Sequence, residues 1–529
     1  MKRNYSKILT PVALLSVLSL TGCIFGGGGL GEADTDKLDV TMDTRGATIS
    51  FWTGFGSSVN GVLEPLLEQF TEKTGITVQY ETKGGYSNLQ TAINLAATTK
   101  EYANVAVGYP DHFAGYINQN IQLRLDGLIK NDHKRASAKD KYNKDVDADG
   151  IKIIDYNDFE EDFVKENETL EFKKDGSHYT LGVPFNKSSE VMVYNAQFFD
   201  WAKTQDSIKN SIFVPTTWAE VKSVGLAVKS FFDSKNVYGK LLGSDGNVYT
   251  ELPKGVTLVF DAKQVTADNF HLFSYDSTEN LFITLVRQFG GSFTEVDPKE
   301  TGKGYAVFAD ANNKDKTLAA MAMFRDLGNA GVVAIPASYN ESLYCSTPFK
   351  NGQSLLNVGS TGGLSNAVGS FTVHAAPIPQ NGNSEAKFVI GQGTNLALFN
   401  KGTDKEKVAA WKLIVYLSQQ VNGAFAAGTG YFPTCSYAMN SDEYQDYLEN
   451  AYGGGELLAQ EASIINTVTY RNKNAGWNRF TDPGFRGSSS IRTEVGFIPS
   501  YILFEQSKYP TDQSILDAVL VKISDYIRP

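Results

Sequence analysis

Between Thr48 and Pro110 the chain switches period again and again. Thr48-Ile49-Ser50-Phe51-Trp52 reads as a short strand that stops at Gly54. From Gly61 to Thr74, apolar Val62, Leu63, Leu66, Leu67 and Phe70 recur at helical spacing. Ile76-Thr77-Val78-Gln79-Tyr80 is a second strand, Tyr86 to Thr98 a second helix carrying Leu89, Ile93 and Leu95, and Val105-Ala106-Val107 a third strand before Gly108-Tyr109-Pro110. This β-α-β-α-β rhythm specifies a mostly parallel sheet with helices on both faces. In such sheets ligands sit outside the carboxyl ends of the strands. Trp52, Gly84-Gly85-Tyr86 and the run Tyr109 to His112 all follow strand ends, so spacing alone gathers them at one cleft.

Composition limits what can enter that cleft. The 529-residue chain is 42% hydrophobic and 20% charged, as globular proteins are. Its net charge of −11 argues against nucleic acid as a partner. Aromatic residues reach 12%, with 26 Tyr; rings with polar edges suit stacking on polar ligands and equally suit cores.

The N-terminus carries Lys2, Arg3 and Lys7, then an apolar run from Ile8 to Leu20. That run is too short to span a bilayer and is built like a secretory signal. Leu20-Thr21-Gly22-Cys23 resembles the bacterial lipobox, in which small residues admit the peptidase before Cys and the thiol takes a diacylglycerol. The expectation is a signal peptide over 1–22, a lipidated Cys23, and an exported protein anchored to a membrane by lipid, facing the periplasm or the cell exterior. Gly-rich and polar residues make 23–46 a flexible tether. The remaining chain, roughly 500 residues, exceeds one hydrophobic core, so two lobes or more are expected. No later stretch is long and apolar enough to cross a membrane. Cys345 and Cys435 either pair or stay as buried thiols.

The stretch 130–174 is a highly charged insertion. Within it, Asp145, Asp147 and Asp149 alternate before Gly150, with Asp155 further on, which resembles a calcium loop. Position twelve of that loop is Tyr156, and Asp155 falls one residue early. These four acids either ligate a structural calcium or form a solvated acidic loop, and no other cofactor is implied.

Further on, Leu181 to Asn195 contains Pro184-Phe185-Asn186-Lys187-Ser188-Ser189 before Tyr194-Asn195. Ser360-Thr361-Gly362-Gly363 ends a central strand, Gly391-Gln392-Gly393-Thr394 precedes another, and Thr429-Gly430-Tyr431-Phe432-Pro433 ends a helix expected from Lys405 to Ala426. Gly484-Phe485-Arg486-Gly487 and Ile491-Arg492 stand near the C-terminus. In this order, from about Thr48 onward, the segments resemble the family 1 extracellular solute-binding proteins, which serve ABC importers. They are most similar to the sn-glycerol-3-phosphate-binding members, through Lys83-Gly84-Gly85-Tyr86 and the segments just quoted. The resemblance implies a two-lobed α/β fold of the periplasmic-binding-protein type, each lobe a mostly parallel sheet flanked by helices, with ligand in the interlobe cleft. Lobe 1 would comprise 47–190 and 389–433, and lobe 2 191–388 and 434–529.

Carried over residue by residue, the resemblance implies ligand contacts at Tyr86, Ser188, Trp218, Ser360, Gly393, Tyr431 and Arg486. Asp111 stands one place from the family's carboxylate, with Pro110 at the simplest aligned position. Arg offers a planar fork that matches a phosphate, glycine-rich turns add backbone donors, and hydroxyls orient glycerol oxygens. The implied protein is a monomer that binds glycerol 3-phosphate or a related glycerophosphodiester, closes by hinge motion and docks on permease subunits. A mono- or oligosaccharide remains an alternative ligand. Beside these readings, Arg492 and His112 are expected to be structural and Trp411 to be core, while Trp477 either lines the cleft or packs.

A secreted enzyme is the competing class. No Gly-x-Ser-x-Gly elbow, His-Glu-x-x-His pair or P-loop is present, and none of the 5 His has metal-ligand spacing. Carboxylates are plentiful, so residue type alone leaves a glycosidase open. An adhesin would show repeats, and no fixed period recurs.

Overall fold

Two long strands, Val183–Asn195 and Lys387–Leu398, decide the architecture. Both are buried along almost their whole length, the pattern of strands covered on two faces. They pair antiparallel, with Gly391 opposite Ser189, Gly393 opposite Lys187 and a bulge at Thr394/Asn395. At one end, Lys387–Leu398 also pairs with Val105–Gly108, which leads to parallel Thr48–Thr53 and Thr77–Thr82. At the other end, Val183–Asn195 pairs with Ser354–Ser360, which leads to parallel His271–Tyr275 and Val333–Ala334. One ten-stranded sheet thus runs through both halves of the protein.

The computed structural model describes residues 35–173, 175–383, 385–450 and 454–528. The expected signal peptide and Cys23 lie outside these residues. Two hydrophobic cores flank the crossing strands. The first draws on 38–185 and 396–438, with Phe51, Phe70, Phe185 and Trp411 at its centre. The second draws on 191–390 and 458–523, with Met192, Phe232, Phe273 and Leu356. Sequence spacing anticipated the elements of the first lobe. Helix Ser57–Thr74 ends on Gly75 in the left-handed conformation, and helix Tyr86–Ala96 buries Leu89 and Ile93.

Three boundaries differ from expectation. The tether ends earlier than 46, because Leu38 and Val40 are buried in the first core. The Thr35 hydroxyl donates to the Arg124 carbonyl and accepts from the Gly127 amide. Gly127 permits this contact, since a Cβ there would lie 2.2 Å from the Asp36 nitrogen. The first lobe also continues past 433. Cys435 and Ala438 belong to its core, and helix Asp442–Glu449 packs on helix Asn422–Thr429. The expected helix from Lys405 to Ala426 is interrupted by a π turn over Tyr416–Gln420. There the Gln419 and Gln420 side chains accept from the Asp155 and Lys152 amides, pinning the charged insertion.

That pinning changes the acidic loop. Asp147 pairs with buried Arg135 and with Lys412 at 3.2 Å, and Asp149 pairs with Arg45 at 2.8 Å and Lys412 at 3.1 Å. Asp145 is exposed and pairs with Lys139, while Asp155 holds its place through its backbone. Cationic side chains stand where a calcium ion would, and among the described residues no cluster of acids, His or Cys is arranged to hold a metal. Cys345 and Cys435 are free and buried, one in each lobe. No described helix is long and apolar enough to cross a membrane.

Candidate functional site

Side chains alternate across the first crossing strand, so Asn186, Ser188 and Glu190 share one face. On that face the Asn186 amide donates to the Tyr86 hydroxyl at 3.0 Å and its carbonyl accepts from Thr394. Tyr86 opens its helix and stands edge-on to Tyr109, ring centroids 5.1 Å apart. Tyr431 stacks on Phe425 at 5.9 Å, and its phenol is near enough to Tyr86 to raise that hydroxyl's pKa. Burial first, and then the neighbouring phenols, push the Tyr86 hydroxyl well above its ordinary titration range. Tyr86 and Tyr109, both raised by burial, therefore present neutral hydroxyls at any physiological pH.

The second lobe meets this cluster at two points. Ser360 ends its strand opposite Glu190, and its hydroxyl accepts from the Gly362 amide at 3.3 Å. Gly362 lies against Tyr431, where a Cβ would come within 3.0 Å of the ring. Elsewhere Asp111, in the first turn of helix Pro110–Asn118, accepts from the Ser489 hydroxyl. Gly484 packs directly on that helix start, a Cβ there lying 2.5 Å from the Asp111 nitrogen.

Beneath these contacts lies a buried polar chain. The Glu190 carboxylate is 1% exposed and accepts from the Tyr275 hydroxyl and from the Asn280 amide at 2.9 Å. Asn280 in turn accepts from the Arg492 guanidinium at 2.6 Å. Burial raises Glu190 to about 7, against the pull of Tyr275 and Asn280. Arg492 is half-buried, and its charge opposes the burial that raises Tyr109 across the cleft. A second-lobe cation thus faces the first-lobe phenols.

The sequence-expected residues divide accordingly. Tyr86, Tyr431, Ser188, Ser360 and Asp111 lie at this interlobe surface. Gly393 lies in the crossing itself, with φ of 97° and no room for a Cβ. Trp218 does not reach it: the ring is 2% exposed in the second core, against Phe273, and its N–H donates to Gln288 at 2.7 Å. Arg486 is exposed, and its backbone N–H bonds the Gly302 carbonyl. Gly487, with φ of 94°, starts helix Ser488–Val495 one residue later. That start puts Ser489 and Arg492 on one face at i, i+3, a spacing visible in the sequence. Tyr109 follows a strand end and Asn186 lies within the Pro184–Ser189 segment, both visible in the sequence, whereas no motif marks Asn280. Trp477 packs on Tyr470, and His112 is buried beside Tyr109 with its pKa lowered by that burial.

The opposite face of the crossing strand has different chemistry. Lys187 is fully buried there, paired with Glu166 and reaching the Gly393 carbonyl at 3.3 Å. Asn395 also donates to Glu166, at 2.7 Å. Near this pair a cavity of about 970 Å³ opens between the lobes, walled by Asp162 and Glu166 on one side and by Thr294–Lys299, Arg479 and Phe480 on the other.

Comparison with known proteins fits this arrangement. The family model described as bacterial extracellular solute-binding protein matches residues 66–451. No curated protein sequence matches the chain. Among solved structures, UgpB from Mycobacterium tuberculosis in complex with glycerophosphocholine superposes with a TM-score of 0.62 at 16% identity, covering 90% of this chain and 99% of that one. The GacH receptor of Streptomyces glaucescens, studied with acarbose, gives 0.60 at 15% identity, covering 91% and 99%. An ABC transporter solute-binding protein from Agrobacterium radiobacter K84 in complex with ribitol gives 0.59 at 16%, covering 91% and 99%.

Proposed function

Since the chain belongs to the bacterial extracellular solute-binding proteins, we propose that it captures a small polar solute between its lobes and delivers it to an ABC importer. One observation carries the reading. Tyr86, Tyr109 and Tyr431 cluster on one lobe, and the other brings Gly362, held by Ser360, against Tyr431 and the charge of Arg492 toward Tyr109. Such a surface is complete only when the lobes approach, which suits capture by hinge closure. The lipobox supports attachment at Cys23.

For the ligand, we propose sn-glycerol 3-phosphate or a related glycerophosphodiester, with Arg492 in the role first assigned to Arg486. Arg492 supplies the charge-assisted donor an oxyanion needs, and helices Tyr86–Ala96 and Ser488–Val495 both begin at this surface. The glycerophosphocholine ligand of the UgpB structure supports this choice. A saccharide is the second reading, favoured by the three clustered tyrosines, since amphipathic rings suit sugars. Calorimetry of the mature chain against glycerol 3-phosphate, glycerophosphocholine, ribitol and maltotriose tests both. Binding of the phosphate compounds alone supports the first reading. Binding of the uncharged compounds alone replaces it with the second, and binding of none overturns both.

A further inference from the structure

The cavity of about 970 Å³ lies near the Lys187 face of the crossing strands, whereas the proposed solute cleft gathers on the Asn186 face. Its wall carries an arginine that the fold has desolvated with only loose ion pairs. The Arg479 side chain is 3% exposed, yet among the described residues its Nε and Nη2 have no hydrogen-bond partner. Its remaining contacts are the Phe163 ring, 4.3 Å from the guanidinium carbon, Asn466, which Nη1 reaches at 3.5 Å, and Glu160 and Asp162, which stand 3.8 and 3.7 Å from Nη2, beyond hydrogen-bond distance. Nε and Nη2 form the side-on fork of a guanidinium, the edge that matches two oxygens of a carboxylate or phosphate. A second wall residue, Thr294, is also buried with its hydroxyl unpartnered. Most acids around the cavity are already engaged: Glu166 with Lys187, Glu295 with Arg528, and Asp297 with Tyr305. Phe480 and Val296 add apolar wall.

We propose that this cavity is a second binding site, for a small organic anion with an apolar flank. Its oxyanion is held by the Nε/Nη2 edge of Arg479 and the Thr294 hydroxyl. Because Asp162 and Arg479 come from different lobes, an occupant here also bridges the hinge.

Calorimetry of the mature chain with phenyl phosphate, and with phenol as the uncharged control, tests the site. Wild-type protein is expected to bind phenyl phosphate and not phenol. Arg479→Gln should weaken that binding at least tenfold. Val296→Asp, which sets a carboxylate on the wall without touching Arg479, should weaken it similarly and decides the matter if Arg479→Gln fails to fold. Arg492→Gln should leave it intact. No binding by wild type, unchanged binding in both cavity variants, or loss in Arg492→Gln would each overturn the proposal; the last would place the anion in the solute cleft.

Discussion

Gly393 passes Asn186 so closely that a Cβ at 393 would lie 2.0 Å from the Asn186 carbonyl oxygen. The same residue has φ of 97°, a conformation costly to any residue with a side chain. Gly393→Ala should therefore spread the crossing strands. We expect a loss of about 2–4 kcal/mol in chemical denaturation, and loss of solute binding with it. Wild-type stability in the variant would show that the strands can shift without penalty.

Arg492 and Arg486 should separate cleanly. Arg492→Gln is expected to weaken glycerol 3-phosphate binding at least tenfold, about 1.4 kcal/mol or more. Arg486→Gln should stay within twofold, because the side chain is exposed. Titration calorimetry on the two variants reads this directly, and the opposite ranking would restore Arg486 to the site.

Glu190 gives the fold a pH dependence of definite sign. Its carboxyl is raised from 4.5 to about 7 by burial. Over that interval the folded chain keeps a proton that the unfolded chain has released. Stability should therefore fall as pH rises from about 4.5 to 7, by about 3 kcal/mol at most. Glu190→Gln should flatten the slope in denaturation series at pH 5, 6 and 7.

Trp218 and Tyr431 should respond in opposite ways. Trp218→Phe removes a buried donor to Gln288 and is expected to cost about 1–3 kcal/mol of stability while leaving affinity unchanged. Tyr431→Phe should weaken solute binding and barely alter stability. Paired denaturation and binding measurements distinguish core from cleft.

The acidic loop should ignore calcium. Asp147 and Asp149 already face Arg135, Arg45 and Lys412, so adding calcium or a chelator should leave the melting temperature unchanged. Asp147→Asn, by contrast, removes one of the two carboxylates on buried Arg135, which keeps Asp132, and should cost about 1–3 kcal/mol.

These contrasts mark how far sequence reading reached. Local periodicity exposed the strands and helices between Thr48 and Pro110, since their spacing is a property of neighbouring residues. Motif likeness brought out Tyr86 and Tyr431, which sit at helix and strand ends. It failed at Trp218 and Arg486, because burial depends on what packs from afar: Phe273 and Gln288 in one case, the helix started by Gly487 in the other. The acidic loop stayed open between two readings for a related reason. Its partners Arg45 and Lys412 lie far away along the chain, and alternating Asp looks the same whether metal or lysine answers it. Asn280 has no local signature at all; only the approach of Glu190 and Arg492 gives it a role.

The lone thiol in each lobe has a practical consequence. Cys345 and Cys435 are both buried, and burial also holds each thiol in its protonated, unreactive form. Neither can meet a thiol reagent until its own lobe opens. A body lacking Cys23 therefore carries two built-in clocks, one per lobe. Peptide-resolved labelling rates would show which half of the molecule loosens first, and whether a solute slows one half or both.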